Sequence, residues 1–227
     1  MSEMVQFSSN GKATSGYLAV PQQVRAPGVI LIQEWWGLVD HIKGVADRLA
    51  GEGFVALAPD LYHGEETAEP DEAQKMMMAL NTERCARDMT GAVDYLLGHP
   101  AVQGDTLGAV GFCMGGGLVL WLSTLRPEIG AAVPFYGVIP WDQVQPDYSQ
   151  ARAAYQGHFG EDDASNPPEE VRKLEDHLRA LGKEVDFYFY PGADHAFFND
   201  TRPEVYDEQA ATRAWERTVS FLRDHLV

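Results

Sequence analysis

Cysteine is nearly missing from this chain, and positive charge is scarce. Cys85 and Cys113 are the only cysteines in 227 residues, too few for a disulfide framework and better matched to reduced thiols. Seventeen Lys and Arg stand against 34 Asp and Glu, leaving a net charge of −17. That balance argues against nucleic acid and anionic membrane surfaces as partners. No run approaches the roughly eighteen apolar residues of a membrane span, and MSEMVQFSSNGK has no apolar signal-peptide region. The expectation is a soluble cytoplasmic protein. Pro/Ser-rich linkers and internal repeats are also missing, so residues 1–227 read as one domain, with a monomer favoured. No His/Cys/Asp group has metal-ligand spacing, and neither G-x-G-x-x-G nor G-K-[ST] occurs. No metal, nucleotide or other cofactor is expected.

What is present is a core-forming composition, 45% apolar and 11% aromatic, arranged as short apolar runs alternating with helical patterns. Val5–Phe7 and Tyr17–Val20 flank Asn10-Gly11 and suggest an antiparallel hairpin. Gly28–Ile32 reads as a strand buried on both faces, Phe54–Ala58, Leu107–Phe112 and Ala131–Tyr136 as further apolar strands, Ala153–Phe159 as a short run, and Val185–Tyr190 as a strand of alternating aromatics. Between them, Ile42, Val45, Ala46 and Leu49 recur at helical spacing from an Asp40 cap. Asn166-Pro167 opens another helix that Gly182 ends, and a last helix runs from about Pro203 to His225. Strands and helices alternating in this way predict an α/β fold with a mostly parallel sheet covered by helices on both faces.

The central stretch is Thr106–Ser123, TLGAVGFCMGGGLVLWLS, which reads as strand, sharp turn and helix. A free cysteine is ordinarily a small buried hydrophobe. In Gly111-Phe112-Cys113-Met114-Gly115, however, small residues stand two before and two after it, as a nucleophile on a strained strand-to-helix turn requires. The helix start favours a thiolate and aims the Met114 N–H at a substrate oxygen. A thiol nucleophile needs a base, and the base needs an orienting acid. Of seven histidines, His195, after the last strand, fits the chain order nucleophile, acid, histidine. Asp162 is the preferred acid, with Asp163 beside it.

The segments GVILIQEWWG, FVALAPDLY, AVGFCMGG, GEDD and GADHAFF resemble the dienelactone hydrolases of the α/β-hydrolase fold, over nearly the whole chain. The resemblance implies a Cys113, Asp162, His195 triad and oxyanion donors from the backbone N–H groups of Met114 and Trp35. It also implies that Glu34 lies against the thiol, with resting Cys113 turned toward it. The family's two substrate-binding arginines have no match: one position is Asn199, and Glu69–Glu72 contains none. Arg84, Arg87 and Arg202 are the nearby substrate-binding candidates. The expected activity is hydrolysis of a small ester or lactone through an acyl-cysteine. A broad esterase not specific for dienelactone and a noncatalytic binding protein of the same fold are the alternatives.

Overall fold

The computed structural model describes residues 1–9, 11–23 and 25–226. Its strands are β1 (Ser2–Ser9), β2 (Lys12–Ala19), β3 (Ala26–Ile32), β4 (Val55–Pro59), β5 (Val102–Phe112), β6 (Ile129–Phe135), β7 (Ala154–Gly160) and β8 (Val185–Tyr190). They form one eight-stranded sheet in the order β1-β2-β4-β3-β5-β6-β7-β8. The β1-β2 and β2-β4 pairs are antiparallel, and the pairs from β4-β3 to β7-β8 are parallel. The hairpin is thus longer than its apolar residues suggest. Asn10 of the expected turn lies outside the described residues.

The apolar strands are double-faced because alternate residues feed different cores. Ile30 and Ile32 pack into one cluster with α3 (Thr82–Gly98), α4 (Met114–Leu125) and α5 (Pro168–Ala180). Val29 and Leu31 pack into the other with α1 (Asp40–Gly51) and α6 (Glu208–His225). A short α2 (Pro70–Met78) precedes α3, whose first turn is capped by Asn81 accepting from the Arg84 N–H at 2.8 Å. Among the described residues, no helix is long and apolar enough to cross a membrane.

Three helix starts differ from the sequence reading. Val39 rather than Asp40 occupies the cap of α1, and Asp40 is its first residue. Pro167 caps α5 with Pro168 inside its first turn, and the Asn166 amide is used elsewhere. The last helix starts only at Glu208, because Asp207 accepts the Ala210 N–H at 2.9 Å and caps it there. Residues 194–207 are consequently free to fold as turns across the carboxyl edge of the sheet.

His158 on β7 is fully buried among Phe135, Tyr188 and Tyr190, and its partners settle its tautomer. Thr218 spends its hydroxyl proton on Ala214 O at 2.8 Å, so His158 Nε2–H donates to Thr218 Oγ1 at 3.1 Å. Nδ1 then accepts from Tyr190 O–H at 2.9 Å, while Arg217 donates to the same Tyr190 oxygen at 3.1 Å. Burial, reinforced by the Arg217 charge, pushes the His158 pKa down to about 3. The unfolded chain therefore takes up a proton near pH 6.5 that the folded chain refuses. Stability from this group is complete above that pH and falls as pH drops through the window, by up to about 1.4 kcal/mol per unit. Urea unfolding between pH 6.5 and 5, above the range of ordinary carboxylates, should show this slope. His158→Phe, which leaves Thr218 and Tyr190 their other partners, should flatten it; equal slopes in the two proteins would remove His158 as the cause.

Candidate active site

Five neighbouring strands, β3, β5, β6, β7 and β8, deliver Glu34, Cys113, Tyr136, Asp163 and His195 in that spatial order. All lie just beyond the carboxyl ends of their strands, where parallel sheets gather reactive groups. Cys113 caps α4 in the unusual conformation φ 54°, ψ −120°. A strained residue of this kind costs on the order of 1–3 kcal/mol and persists only where its surroundings hold it. Here its N–H donates to Phe135 O at 3.0 Å and its carbonyl accepts from the Gly116 N–H at 2.9 Å. The turn also needs Gly115, since a Cβ there would sit 2.5 Å from the Ile32 and Gln33 carbonyl oxygens.

His195 Nδ1 lies 2.8 Å from Asp163 Oδ2. Asp163 is 1% exposed and accepts in addition from the N–H groups of Ser165 at 2.8 Å and Asn166 at 3.1 Å, and from the Asn166 amide at 3.2 Å. Burial opposes its ionisation, yet the hydrogen bonds from His195, Asn166 and Ser165 prevail and hold its carboxyl below the usual range. The choice between the two acids is corrected by this geometry. Asp162 donates its N–H to Ala193 O at 3.0 Å and leaves its side chain in solvent. Burial alone would lower the His195 pKa, but the Asp163 and Cys113 side chains together raise it to about 10. With Nδ1–H given to Asp163, the second ring nitrogen is left for the cavity that His195 and Cys113 both line.

Glu34 is 1% exposed and has no cation on it. Its Oε2 accepts from the Asn199 amide at 2.8 Å and its Oε1 from Tyr136 O–H at 3.3 Å. Asn199 is itself oriented by Thr201, whose N–H and hydroxyl both donate to its Oδ1, at 3.1 and 2.6 Å. The Glu34 carboxylate is bonded to Tyr136 and Asn199, and no hydrogen bond joins it to the Cys113 thiol among the described residues. Burial and the neighbouring Glu34 and Cys113 charges raise the Tyr136 pKa well above its ordinary value, keeping it a donor. Tyr136, Asn166 and the clamping role of Asn199 were not legible as site residues. Tyr136 ends an apolar strand with φ 35°, and Asn166 looks like an ordinary helix cap.

Neither the Met114 nor the Trp35 N–H has a protein acceptor among the described residues, and Trp35, Met114, Cys113, Tyr136 and His195 line a common cavity of about 470 Å³. No Arg or Lys lines it. Arg84 borders a separate hollow beside Tyr62 and Lys75. Arg202 lies 5.4 Å over the Trp36 ring and pairs with Glu204 at 2.9 Å, facing another hollow. Arg87 is half-buried on α3 and borders neither. None of these three arginines, the substrate-binding candidates of the sequence, lines the cavity that holds Cys113. Among the described residues, no group of three His, Cys, Asp or Glu is placed to hold a metal ion.

A mostly parallel sheet, a strand–cysteine–helix elbow and a histidine after the last strand define a hydrolase of the α/β-hydrolase fold. The dienelactone hydrolase family model matches residues 14–226, and the chain belongs to that family. It is 36% identical to "Protein usf" of Aquifex pyrophilus over all of both chains. It is 33% identical to a "Putative carboxymethylenebutenolidase" of Aquifex aeolicus, again over all of both. A crystal structure of a "Putative Dienelactone Hydrolase" from Klebsiella pneumoniae superposes with TM-score 0.87 at 28% identity, covering 99% of this chain and 100% of the other. The protein is accordingly an ester or lactone hydrolase.

The histidine's charge tests the acid assignment. Stability from the raised His195 pKa is complete below about 6.5, the unfolded value, and is lost as pH rises through about 10. Asp163→Asn should move the His195 ring titration, followed by NMR, downward by at least one unit, whereas Asp162→Asn should leave it in place. The reverse ranking would return the role to Asp162.

Proposed function

We propose that the chain hydrolyses uncharged carboxylic esters or lactones through an acyl-cysteine, with Cys113, His195 and Asp163 as its triad. The observation carrying this reading is the 2.8 Å His195–Asp163 bond beside a cysteine held on a strained elbow. The Cys113 sulfur attacks the carbonyl carbon, forming the S–C bond and moving an electron pair onto the carbonyl oxygen. The Met114 and Trp35 N–H groups receive that oxyanion from fixed positions, which requires no reorganisation as charge develops. When the tetrahedral intermediate collapses, the C–O bond breaks and the His195 imidazolium protonates the departing oxygen. Water then gives a proton to His195, attacks the thioester and expels the thiolate, restoring the imidazolium–sulfur pair.

Glu34 presents a fixed negative charge at the edge of this pair, held off the sulfur by Tyr136 and Asn199. A carboxylate there disfavours an anionic sulfur and favours the imidazolium, so it biases the coupled set rather than one residue. The substrate class follows from the cavity wall. Without Arg or Lys on it, a substrate carboxylate gains no charge-assisted hydrogen bond, a loss of roughly 1.5–3 kcal/mol. Neutral esters should therefore compete well with carboxylated lactones.

Rapid quench of the enzyme with p-nitrophenyl acetate should trap one acetyl group on Cys113 by mass spectrometry. His195→Ala should lower turnover by about a thousandfold or more while the fold persists. Near-normal turnover in that variant, or acetylation at another residue, would overturn the assignment. Glu34→Gln should change the single-turnover acylation rate and the pH profile of Cys113 alkylation; if neither moves, Glu34 is a structural carboxylate.

A further inference from the structure

A second cavity, about 590 Å³, opens beside the catalytic one, and the two share Val138, Ile139, Ser165 and Asn166 as a common wall. Beyond that wall the lining mixes apolar side chains such as Trp141, Val144 and Leu174 with Asp142, Gln145 and Glu170. Its floor is firm, because Trp141, Val144, Tyr148, Leu120 and Val171 belong to the buried cluster under the sheet. Trp141 is pinned further by its indole N–H donating to Met77 O at 3.2 Å, and Met77 lines the catalytic cavity. Asp142 and Glu170 are exposed carboxylates on the rim, Glu170 paired with Lys173 at 2.6 Å, and the lining itself includes no Arg or Lys.

Such a space, set against the wall of the reacting centre, exceeds what a small compact lactone occupies. We infer that it is a substrate subsite for the extended apolar arm of a neutral ester, an unbranched alkyl chain or aryl group entering past Val138 and Ile139. This rests on the hydrolase reading and deepens it by naming the substrate. The backbone that makes the connection possible is set by α4. A Cβ on Gly116 would come within 2.9 Å of Phe135 O, and one on Gly117 would collide with the Val138 carbonyl. Glycines at these two positions let the 137–139 segment lie down on the helix as the partition between the cavities. An arm lying across it desolvates apolar surface on both partners, while a terminal carboxylate would approach Asp142 and be repelled.

The test uses two ester series on the full-length protein: p-nitrophenyl esters from acetate to octanoate, and acetate esters from ethyl to octyl. At least one series should gain tenfold or more in kcat/KM from the shortest to the longest member, since burying two methylenes already suffices. Leu174→Trp, which fills the second cavity without touching the catalytic one, should reduce the long-to-short ratio to near unity in that series. A terminal carboxylate on the long arm should abolish most of the gain at low ionic strength. Measurable hydrolysis with no chain-length gain in either series, or a gain that Leu174→Trp leaves intact, would overturn the subsite. No hydrolysis of any member would instead sink the underlying activity, so the two failures are distinguishable.

Discussion

The site depends on one backbone constraint: a cysteine forced into φ 54° at the junction of β5 and α4. The conformation leaves Cys113 on the wall of the cavity that His195 also lines, and leaves the Met114 N–H at the helix start without a protein acceptor. It is held because the elbow is packed from both sides. The β3 carbonyls lie against Gly115 and the end of β6 lies against Gly116, so the strands flanking β5 close on the turn. Larger residues there would push the strands apart and release the strain along with the reactive geometry.

Charge is the second organising quantity. At the carboxyl edge of the sheet, Glu34 and Asp163 are both buried, yet each is bonded differently. Asp163 faces a histidine plus three further hydrogen bonds, which stabilise its charge and that of the imidazolium together. Glu34 has only neutral donors, Tyr136 and Asn199, and no cation pairs with it among the described residues. No Arg or Lys stands on the cavity wall, so no cation there is available to an anionic ligand. His158 shows the contrasting solution one strand away: a buried ring kept neutral by a single self-consistent chain of donors and acceptors.

Much of the frame was legible in the sequence because it obeys local rules. Runs such as Val29–Ile32 announce strands buried on both faces, and 3.6-residue spacing locates helices such as α1. The glycines around Cys113 expose the elbow, since only a tight turn requires small residues at both flanks. Chain order then isolates His195. These features depend on neighbours a few residues apart, and sequence patterns report such neighbours directly.

What the tertiary structure decided is every choice between groups adjacent in sequence but not in space. Asp162 and Asp163 are chemically the same, and only the bond from the Asp162 N–H to Ala193 turns one to solvent and the other to His195. Asn166 looks like a helix cap and instead braces Asp163. The arginines sit near the right places in sequence, yet α3 and the turns after His195 carry them away from the cavity. Glu34 lies after the central strand as its position suggests, but its partners, Tyr136 and Asn199, come 102 and 165 residues later. The elbow and its cysteine are local and so are written in the chain itself. The acid, the clamp on Glu34 and the shape of the cavity are long-range contacts, which exist only once the sheet has brought five loop ends together.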